Sequence, residues 1–319
     1  TMPHTEISAQ LRLKELTETV LNGKGISHED ALFIASYPDI DALCDAADTI
    51  RVRFAGDTVD SCSIVNARSG LCPEDCKWCA QASRHHTGCD IYDFIDEEEL
   101  LEAARLSLVT SGRAVSAKDI TRFCQMICRL SHETDLYLCA SMGLIGKEEM
   151  QMLADAGVKR YHCNMETSSD YFPSLCSTHT PEDKKATIRA AKEVGLNVCS
   201  GGIIGMGESM EQRIRFAFEL AELGVDSVPL NILNPIPGTP LADIPLIAEE
   251  DIIRTGAVFR FILPHQTIRF AGGRLRLSRQ AMLRMLRGGV NGALMGDMLT
   301  TVSNRIDDDR QLFNDAGLT

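Results

Sequence analysis

Strand-like runs and helical stretches alternate regularly along the chain from residue 63 onward. The predicted strands number eight and cover residues 63–67, 106–110, 135–140, 159–164, 196–200, 226–233, 266–270 and 292–296. Predicted helices lie between them, near residues 97–105, 116–132, 147–156, 181–194, 209–223, 249–262 and 279–287. Consecutive strands that are joined by helices pair in parallel through right-handed crossovers. The alternation therefore predicts an α/β fold, a TIM-type (β/α)8 barrel, for which 319 residues are long enough.

The two ends of the chain are expected to lie outside the barrel. Apolar residues with helical spacing predict an N-terminal helical extension over residues 1–55. The barrel itself is expected over residues 56–303, and a C-terminal helix and tail over residues 304–319.

Charge and cysteine content limit the functions that fit this chain. Asp and Glu outnumber Lys and Arg by 45 to 32, and the resulting net charge of −13 does not suit a nucleic-acid partner. No apolar run approaches the roughly 18 residues of a membrane span. The N-terminus lacks a basic and apolar signal pattern, so a cytoplasmic location without membrane contact is expected. Twelve cysteines in such a chain favour reduced thiols and metal chemistry over disulfides.

Three cysteines, Cys72, Cys76 and Cys79, form a C-x3-C-x2-C spacing. Thiolates are the usual ligands of iron–sulfur clusters, and three of them on one loop can hold a [4Fe–4S] cluster with one iron left open. That iron could bind a small molecule. A zinc site and ordinary buried cysteines are the alternatives, but structural zinc normally takes four ligands in paired C-x2-C steps. The spacing therefore favours an iron–sulfur cluster.

Polar residues and cysteines recur at the ends of the predicted strands. The active site of a (β/α)8 barrel lies where the strands end and the following loops begin. We therefore expect one site to gather the residues found there, which are Cys139, the run from Cys163 to Glu166, Cys199, Asn231 and Arg269.

Several longer stretches carry a resemblance to a known family. They are CPEDCKWCAQAS (72–83), YHCNMETS (161–168), VCSGGIIGMGE (198–208), SVPLN (227–231), GTPLA (238–242) and IRFAGGR (268–274). In this order they resemble the biotin synthase family of radical S-adenosylmethionine (SAM) enzymes, across about residues 55–315. The cysteine loop alone is typical of the superfamily, and the later stretches make the resemblance specific.

The resemblance implies an enzyme, a sulfurtransferase of the radical SAM type that converts dethiobiotin to biotin. Cys72, Cys76 and Cys79 would hold a [4Fe–4S] cluster that binds SAM, and one electron would split SAM into methionine and a 5'-deoxyadenosyl radical. The radical would take hydrogen from two carbons of dethiobiotin in turn, and sulfur from an auxiliary iron–sulfur cluster would bridge them. A flavodoxin- or ferredoxin-type electron donor and a homodimer are also implied.

The resemblance implies further contacts with SAM. Asn164 and Glu166 match positions that contact the nucleoside, and a carboxylate suits paired ribose hydroxyls. Trp78 would pack near SAM, Lys184 would meet its carboxylate, and Ile203 would approach adenine. A plain core tryptophan and a solvated lysine are the alternatives for Trp78 and Lys184.

Asn231 matches a position that would bind the ureido group of dethiobiotin. Its amide can both donate and accept hydrogen bonds, as that group requires. The alternative is an asparagine that caps the barrel.

The auxiliary cluster is where the chain departs from the family pattern. The better-known members hold a [2Fe–2S] cluster with three cysteines and an arginine, and Cys139, Cys199 and Arg269 match three of these positions. The fourth falls at about Val109, which has no thiol, while Cys163 stands where the pattern has a histidine. We therefore expect Cys139, Cys163 and Cys199 to bind the auxiliary cluster with Arg269 close by. A four-iron cluster with an extra sulfide is favoured, and a [2Fe–2S] cluster with rearranged ligands is the alternative.

Two other functions compete with this interpretation. A related radical SAM maturase of the hydrogenase-cofactor type shares the first cluster but does not need the strand-end set. An iron–sulfur cluster carrier needs labile cysteines and no nucleoside site. The cysteines outside the proposed clusters are interpreted as structural, and they are Cys44, Cys62, Cys89, Cys124, Cys128 and Cys176.

Overall fold

Three helices precede the sheet. They are α1 (His4–Leu21), α2 (His28–Ala35) and α3 (Ile40–Ala55). Ser27 caps α2 in a reciprocal capping box with Asp30, and the carboxylate of Asp39 accepts hydrogen bonds from the first backbone amides of α3. The computed structural model describes residues 4–63, 66–93, 98, 114–295 and 306–319.

Helices and strands alternate through the rest of the described chain. The strands are β1 (Asp60–Ser63), β2 (Cys139–Ala140), β3 (Arg160–His162), β4 (Asn197–Cys199), β5 (Gly202–Ile204), β6 (Ser227–Ile232), β7 (Thr267–Phe270) and β8 (Gly292–Met295). The helices are α4 (Ala117–Glu133), α5 (Lys147–Ala156), α6 (Pro181–Glu193), α7 (Met210–Glu222), α8 (Glu249–Ile262), α9 (Arg279–Leu286) and α10 (Ile306–Asp315).

The strands form one parallel sheet that curls into a half-barrel with the helices around it. Its order is β1-β8-β7-β6-β4-β3-β2, and β5 pairs with β6. This is the predicted TIM-type barrel fold. The predicted strand 106–110 and helix 97–105 lie outside the described residues. The first strand begins at Asp60, three residues before the predicted start. Its position is set by pairing with β8, in which Asp60 lies opposite Gly292 and Cys62 lies opposite Leu294.

Side chains alternate between the two faces of the sheet, as the period of two in a strand requires. The outer face packs against the helices in a single hydrophobic core. Its members include Ala140, Tyr161, Val198, Val228, Ile268 and Ala293. The inner face carries the residues next to them in the strands, which include Asp60, Cys139, Arg160, Cys199, Ser227 and Arg269. The barrel interior is therefore polar and rich in sulfur.

The helices at both ends of the chain share this core. Leu16 of α1, Ile50 of α3 and Leu312 of α10 belong to the same buried cluster as the strands. The division into segments 1–55, 56–303 and 304–319 remains a prediction. Among the described helices, none has both the length and the hydropathy that crossing a bilayer requires.

Candidate active site at the barrel mouth

The cysteine loop after β1 closes on itself through backbone hydrogen bonds. The amide of Cys72 donates a hydrogen bond to the carbonyl of Gln81 at 3.0 Å, and the amide of Ser83 donates one to the carbonyl of Cys72 at 2.8 Å. Within this loop the amide of Cys79 donates to the carbonyl of Cys76 at 3.1 Å. The three cysteines therefore lie on one closed loop.

A second segment, residues 175–178, holds this loop from outside. The carboxylate of Asp75 accepts hydrogen bonds from the amides of Ser177 at 2.8 Å and Thr178 at 3.2 Å. The amide of Lys77 donates to the carbonyl of Leu175 at 3.0 Å. Although burial opposes it, hydrogen bonding led by Ser177 lowers the pKa of Asp75. We call this arrangement the Asp75 clasp.

Cys176 and His179 lie directly beside the loop. The Sγ atoms of Cys176 and Cys76 are 3.7 Å apart, and Nδ1 of His179 is 3.4 Å from Cys176 Sγ and 2.5 Å from Glu74 Oε2. The hydrogen bond between the two thiols raises the pKa of Cys76 and lowers that of Cys176. Cys76, Cys176 and His179 could together hold a metal ion.

Sequence reasoning missed this neighbourhood, because it treated Cys176 as structural and did not consider His179. A local signal exists, since Cys176 and His179 form a C-x2-H step, a spacing that metal ligands use. Their approach to Cys76 depends on a contact across 100 residues. Nothing in the local sequence indicates that contact.

The thiols of the loop are held in their protonated form. Burial raises the pKa of Cys72, and it raises the pKa of Cys79 to about 11. A thiol must lose its proton when it binds a metal, so iron binding is coupled to proton release here.

Glu166 and Asn164 follow β3 at the mouth of the barrel. Glu166 has a φ of 74°, and its Oε2 atom is buried without a hydrogen-bond partner. Burial raises the pKa of this carboxyl. The Oδ1 atom of Asn164 accepts from the amide of Gly201 at 3.0 Å, and its carbonyl accepts from Nζ of Lys184 at 2.8 Å. Lys184 is buried, so it is not a solvated surface lysine.

Backbone strain marks both parts of the site. Among the described residues, Leu71 and Glu166 are the non-glycine residues with positive φ, at 52° and 74°. Leu71 directly precedes the first cysteine of the loop. Such conformations persist where surrounding contacts enforce them, and they concentrate at functional sites.

Gly202 allows β5 to approach Glu166 closely. A Cβ atom on Gly202 would lie 2.2 Å from the carbonyl oxygen of Glu166. The amide of Ile203 donates to that same carbonyl at 2.9 Å. The glycine-rich segment is therefore needed for this backbone contact, which also places Ile203 at the mouth.

Trp78 and Ile203 pack against a small apolar cluster that is separate from the main core. Its buried members are Leu175, Met206 and Leu233. The ring of Trp78 meets the ring of Phe172 edge to face, with a centroid distance of 6.4 Å. The structure therefore brings together Trp78 of the cysteine loop and Ile203 of β5.

Asn231 uses its side-chain amide to bind the backbone. Its Nδ2 donates to the carbonyl of Gly202 at 3.1 Å, and its Oδ1 accepts from the amide of Gly272 at 2.8 Å. This geometry matches the barrel-capping alternative. One N–H and one lone pair remain for a ligand.

Arg269 lies inside the barrel with Cys139 and Cys199. Its Nε donates to Ser227 Oγ at 3.0 Å and its Nη2 to Asp60 Oδ2 at 3.1 Å, while Nη1 is buried without an acceptor. Cys199 Sγ is 3.7 Å from the same Ser227 hydroxyl. Burial raises the pKa of Cys199, and burial followed by the charge of Cys62 raises that of Cys139 to about 12.

Comparisons with known proteins agree over most of the chain. The Radical SAM superfamily model matches residues 68–221, and the model of the Biotin and Thiamin Synthesis associated domain matches residues 229–319. The biotin synthase of Porphyromonas gingivalis is 46% identical over 314 residues, which cover 96% of this chain and 95% of that protein. The chain belongs to the biotin synthase family. The biotin synthase of Parabacteroides distasonis is 43% identical over 316 residues, covering 96% and 97%.

Solved structures share the fold of this biotin synthase family member. The crystal structure of methylornithine synthase (PylB) has a TM-score of 0.81 at 19% identity and covers 95% of this chain and 96% of that chain. The structure of the FeFe-hydrogenase maturase HydG from Carboxydothermus hydrogenoformans has a TM-score of 0.79 at 13% identity, covering 96% and 78%. At these identities the likeness shows the barrel fold alone.

Membership of the biotin synthase family implies a [4Fe–4S] cluster, SAM and an auxiliary iron–sulfur cluster. The described residues fit these groups. Cys72, Cys76 and Cys79 offer three thiols on one loop, the donor type that such a cluster takes. The unpartnered Oε2 of Glu166 offers an acceptor for the hydroxyls of a nucleoside, and the unpartnered Nη1 of Arg269 offers a donor beside the inner thiols.

Cys163, which we expected to bind the auxiliary cluster as a departure from the biotin synthase pattern, does not join the inner thiols. It packs in the outer core with Tyr161 and Met165, on the opposite face of the sheet from Cys199. The neighbouring His162 faces inward instead, and burial lowers its pKa to about 4. Cys163 faces outward because side chains in an extended chain alternate between the two faces of the sheet. Residues 161, 163 and 165 therefore point outward together.

Proposed function

We propose that this chain inserts sulfur into dethiobiotin and forms biotin by radical SAM chemistry. The observation that carries the proposal is the identity of 46% to a biotin synthase over nearly the full length of both chains. The inner thiols of Cys139 and Cys199 beside Arg269 support it, because a sulfur donor needs ligands inside the barrel. A hydrogenase-type maturase is less well supported, since the likeness to HydG is one of fold.

Cys72, Cys76 and Cys79 would hold the first cluster. When bound and reduced, this cluster supplies the electron that cleaves SAM and so provides the radical that removes hydrogen from dethiobiotin. The closed loop and the Asp75 clasp hold the three sulfur ligands in place. Trp78 and Ile203 cover the site with apolar side chains and limit the access of water.

Three polar side chains would orient SAM. Glu166 presents a carboxylate oxygen without a protein partner, which suits a pair of ribose hydroxyls. Asn164 is fixed by the amide of Gly201 and supports the same strand end. Lys184 brings a buried positive charge to the mouth, where the carboxylate of SAM is an appropriate partner.

Cys139, Cys199 and Arg269 would face the auxiliary cluster, which supplies the sulfur atom. Two C–H bonds of dethiobiotin are replaced by two C–S bonds in this reaction. We propose a four-iron cluster with an extra sulfide, because even a third thiolate beside these two would leave one iron without a protein ligand. Asn231 retains one N–H and one lone pair with which to bind the ureido group.

A reductant must supply the electron for SAM cleavage. We propose a flavodoxin- or ferredoxin-type donor, a homodimer and a cytoplasmic location. The net charge of −13 disfavours a nucleic-acid partner, but it does not favour any one of these three proposals.

Anaerobic turnover tests the proposal. The purified holoprotein is incubated with SAM, a reductant and dethiobiotin, and biotin and 5'-deoxyadenosine are measured by mass spectrometry. We expect both products. Cys79→Ala should abolish both, whereas Cys128→Ala, which removes an exposed thiol on α4, should retain both.

The pattern of products identifies which function fails. SAM cleavage without biotin would move the assignment to a radical SAM enzyme with another substrate. Absence of 5'-deoxyadenosine with every substrate would contradict the proposal and favour a cluster carrier.

A further inference from the structure

Cys62 faces the interior of the barrel from β1. Asp60, two residues earlier on the same strand, bonds Arg269 inside the barrel, and residues two apart in a strand lie on the same face. Cys62 pairs in register with Leu294 of β8. The neighbours of Leu294, Ala293 and Met295, pack into the outer core, which leaves the Cys62–Leu294 pair on the inner face.

This position places Cys62 on the same inner face of the sheet as Cys139 and Cys199. Cys139 pairs in register with Arg160 of β3, another residue of this face. Arg269 joins these strands, because it bonds Asp60 of β1 and the hydroxyl of Ser227, which lies 3.7 Å from Cys199 Sγ. Three thiols therefore share the interior.

Two guanidinium groups accompany these thiols. Arg269 is 1% exposed, and its Nη1 has no acceptor although Nε and Nη2 are satisfied. Arg160 of β3 also has a buried Nε without a partner. A buried donor without an acceptor is costly, and two of them beside the same thiols indicate that an anionic group belongs between them.

We propose that Cys62, together with Cys139 and Cys199, holds the auxiliary cluster, with Arg269 Nη1 donating a hydrogen bond to one of its sulfurs. The assignment rests on the proposed function for the presence of that cluster, but the choice of the third ligand comes from the strand register. Cys163 is excluded because it faces the outer core. Cys62 of β1 supplies the thiol that the sequence lacks at position 109.

Paired cysteine variants of the anaerobically reconstituted full-length protein test this assignment. Cys62→Ala is compared with Cys163→Ala, and iron, acid-labile sulfide and Mössbauer spectra are measured for each. We expect Cys62→Ala to lose the Mössbauer signal of the auxiliary cluster and to retain about four irons, which belong to the first cluster. Cys163→Ala should keep the iron content of the unmodified chain.

A second readout separates ligand loss from misfolding. Both variants should still form 5'-deoxyadenosine from SAM, because the first cluster is untouched. In the unmodified holoprotein, iodoacetamide with peptide mass spectrometry should leave Cys62 unlabelled until iron is chelated. This measurement needs no variant, so it remains decisive where Cys62→Ala does not fold.

Two results would overturn the assignment. One is full auxiliary iron in Cys62→Ala, and the other is rapid alkylation of Cys62 in the loaded protein. If the unmodified chain forms no biotin, the proposed function is contradicted instead. The ligand assignment would still hold in that case if Cys62→Ala lost the auxiliary iron.

Discussion

Cys176 lies beside the cysteine loop, although it is not one of the three predicted ligands of the first cluster. Its Sγ lies 3.7 Å from that of Cys76, and His179 and Glu74 extend the contact into a buried hydrogen-bonded chain. Hydrogen bonds to the sulfur ligands are one of the means by which a protein sets the potential of an iron–sulfur cluster. Cys176 is thus a positioning residue for the proposed first cluster.

Cys176→Ala should make the reduction potential of the first cluster more negative. A lost hydrogen bond of about 1 kcal/mol corresponds to roughly 40 mV for a one-electron couple. Redox titration monitored by electron paramagnetic resonance measures this shift. Iron content should not change, and Cys124→Ala, a half-buried thiol on α4, serves as the control. Loss of iron in Cys176→Ala would instead identify Cys176 as a ligand.

His162 links the protonation of the barrel interior to stability. Its pKa is lowered to about 4 by burial, from 6.5 in the unfolded chain. Below pH 6.5 the unfolded state therefore takes up a proton that the native state does not. Stability is present above that pH and is lost as the pH falls toward 4.

His162→Gln should reduce the pH dependence of unfolding. Between pH 6 and pH 5 its free energy of unfolding should fall by about 1 kcal/mol less than that of the unmodified chain. Urea unfolding of the metal-free protein at both pH values measures the difference. Equal pH dependence in the two chains would show that His162 is protonated in the native state.

At the scale of the elements, the close contact between β5 and the segment after β3 shapes the mouth. The contact needs Gly202, because a side chain there would collide with the backbone of Glu166. Glu208 then fixes the loop that follows β5, where its carboxylate accepts from the amides of Gly205 and Met206, each at 2.8 Å, and bonds Arg213 at 2.7 Å. The strand end and its loop form one rigid unit.

Gly202→Ala should weaken SAM binding and lower stability by about 1–3 kcal/mol, since the added methyl forces the backbone apart. Equilibrium dialysis with labelled SAM and thermal unfolding measure the two effects. Gly25→Ala is the matched control, because nothing lies within 4 Å of its added methyl. Unchanged SAM affinity in Gly202→Ala would separate this contact from the nucleoside site.

At the scale of the whole molecule, a buried ion pair joins the last helix to the barrel. Arg274, just after β7, donates from Nη2 to Asp309 of α10 at 2.7 Å and to the carbonyl of Leu294 at 3.0 Å. The side chains of the pair are 2% and 0% exposed. The last helix is therefore attached to the strands by both apolar packing and a buried charge pair.

Asp309→Ala should destabilise the protein by about 3–5 kcal/mol, because it leaves the charge of Arg274 buried without its partner. Glu133→Ala, which breaks the exposed Arg129–Glu133 pair on α4, should change stability by less than about 1 kcal/mol. Urea unfolding midpoints compare the two variants. A similar small effect in both would mean that water reaches Arg274.

Local patterns in the sequence were sufficient to predict the barrel. The helices from α4 to α9 lie within about two residues of their predicted bounds, because apolar spacing and capping residues act locally. The placement of Cys139 and Cys199 on the two strands beside β3 followed from topology, which brings parallel strand ends to one side.

The direction of side chains was harder to predict than the position of strands. Cys163 was grouped with the mouth because it lies at a strand end, yet the parity of β3 turns it outward. Cys62 was set aside because β1 was predicted to begin after it. The approach of Cys176 to Cys76 joins positions 100 residues apart, and no local pattern reports such a contact.

The Asp75 clasp sets an order of events during synthesis. Asp75 and Ser177 are separated by 102 positions, which a ribosome translates in roughly 5–20 s at about 5–20 residues per second. Until Ser177 and Thr178 have emerged, the cysteine loop lacks the contacts that hold it from outside. Iron delivered to a nascent chain would find an unsupported loop, so loading of the first cluster belongs to the completed chain.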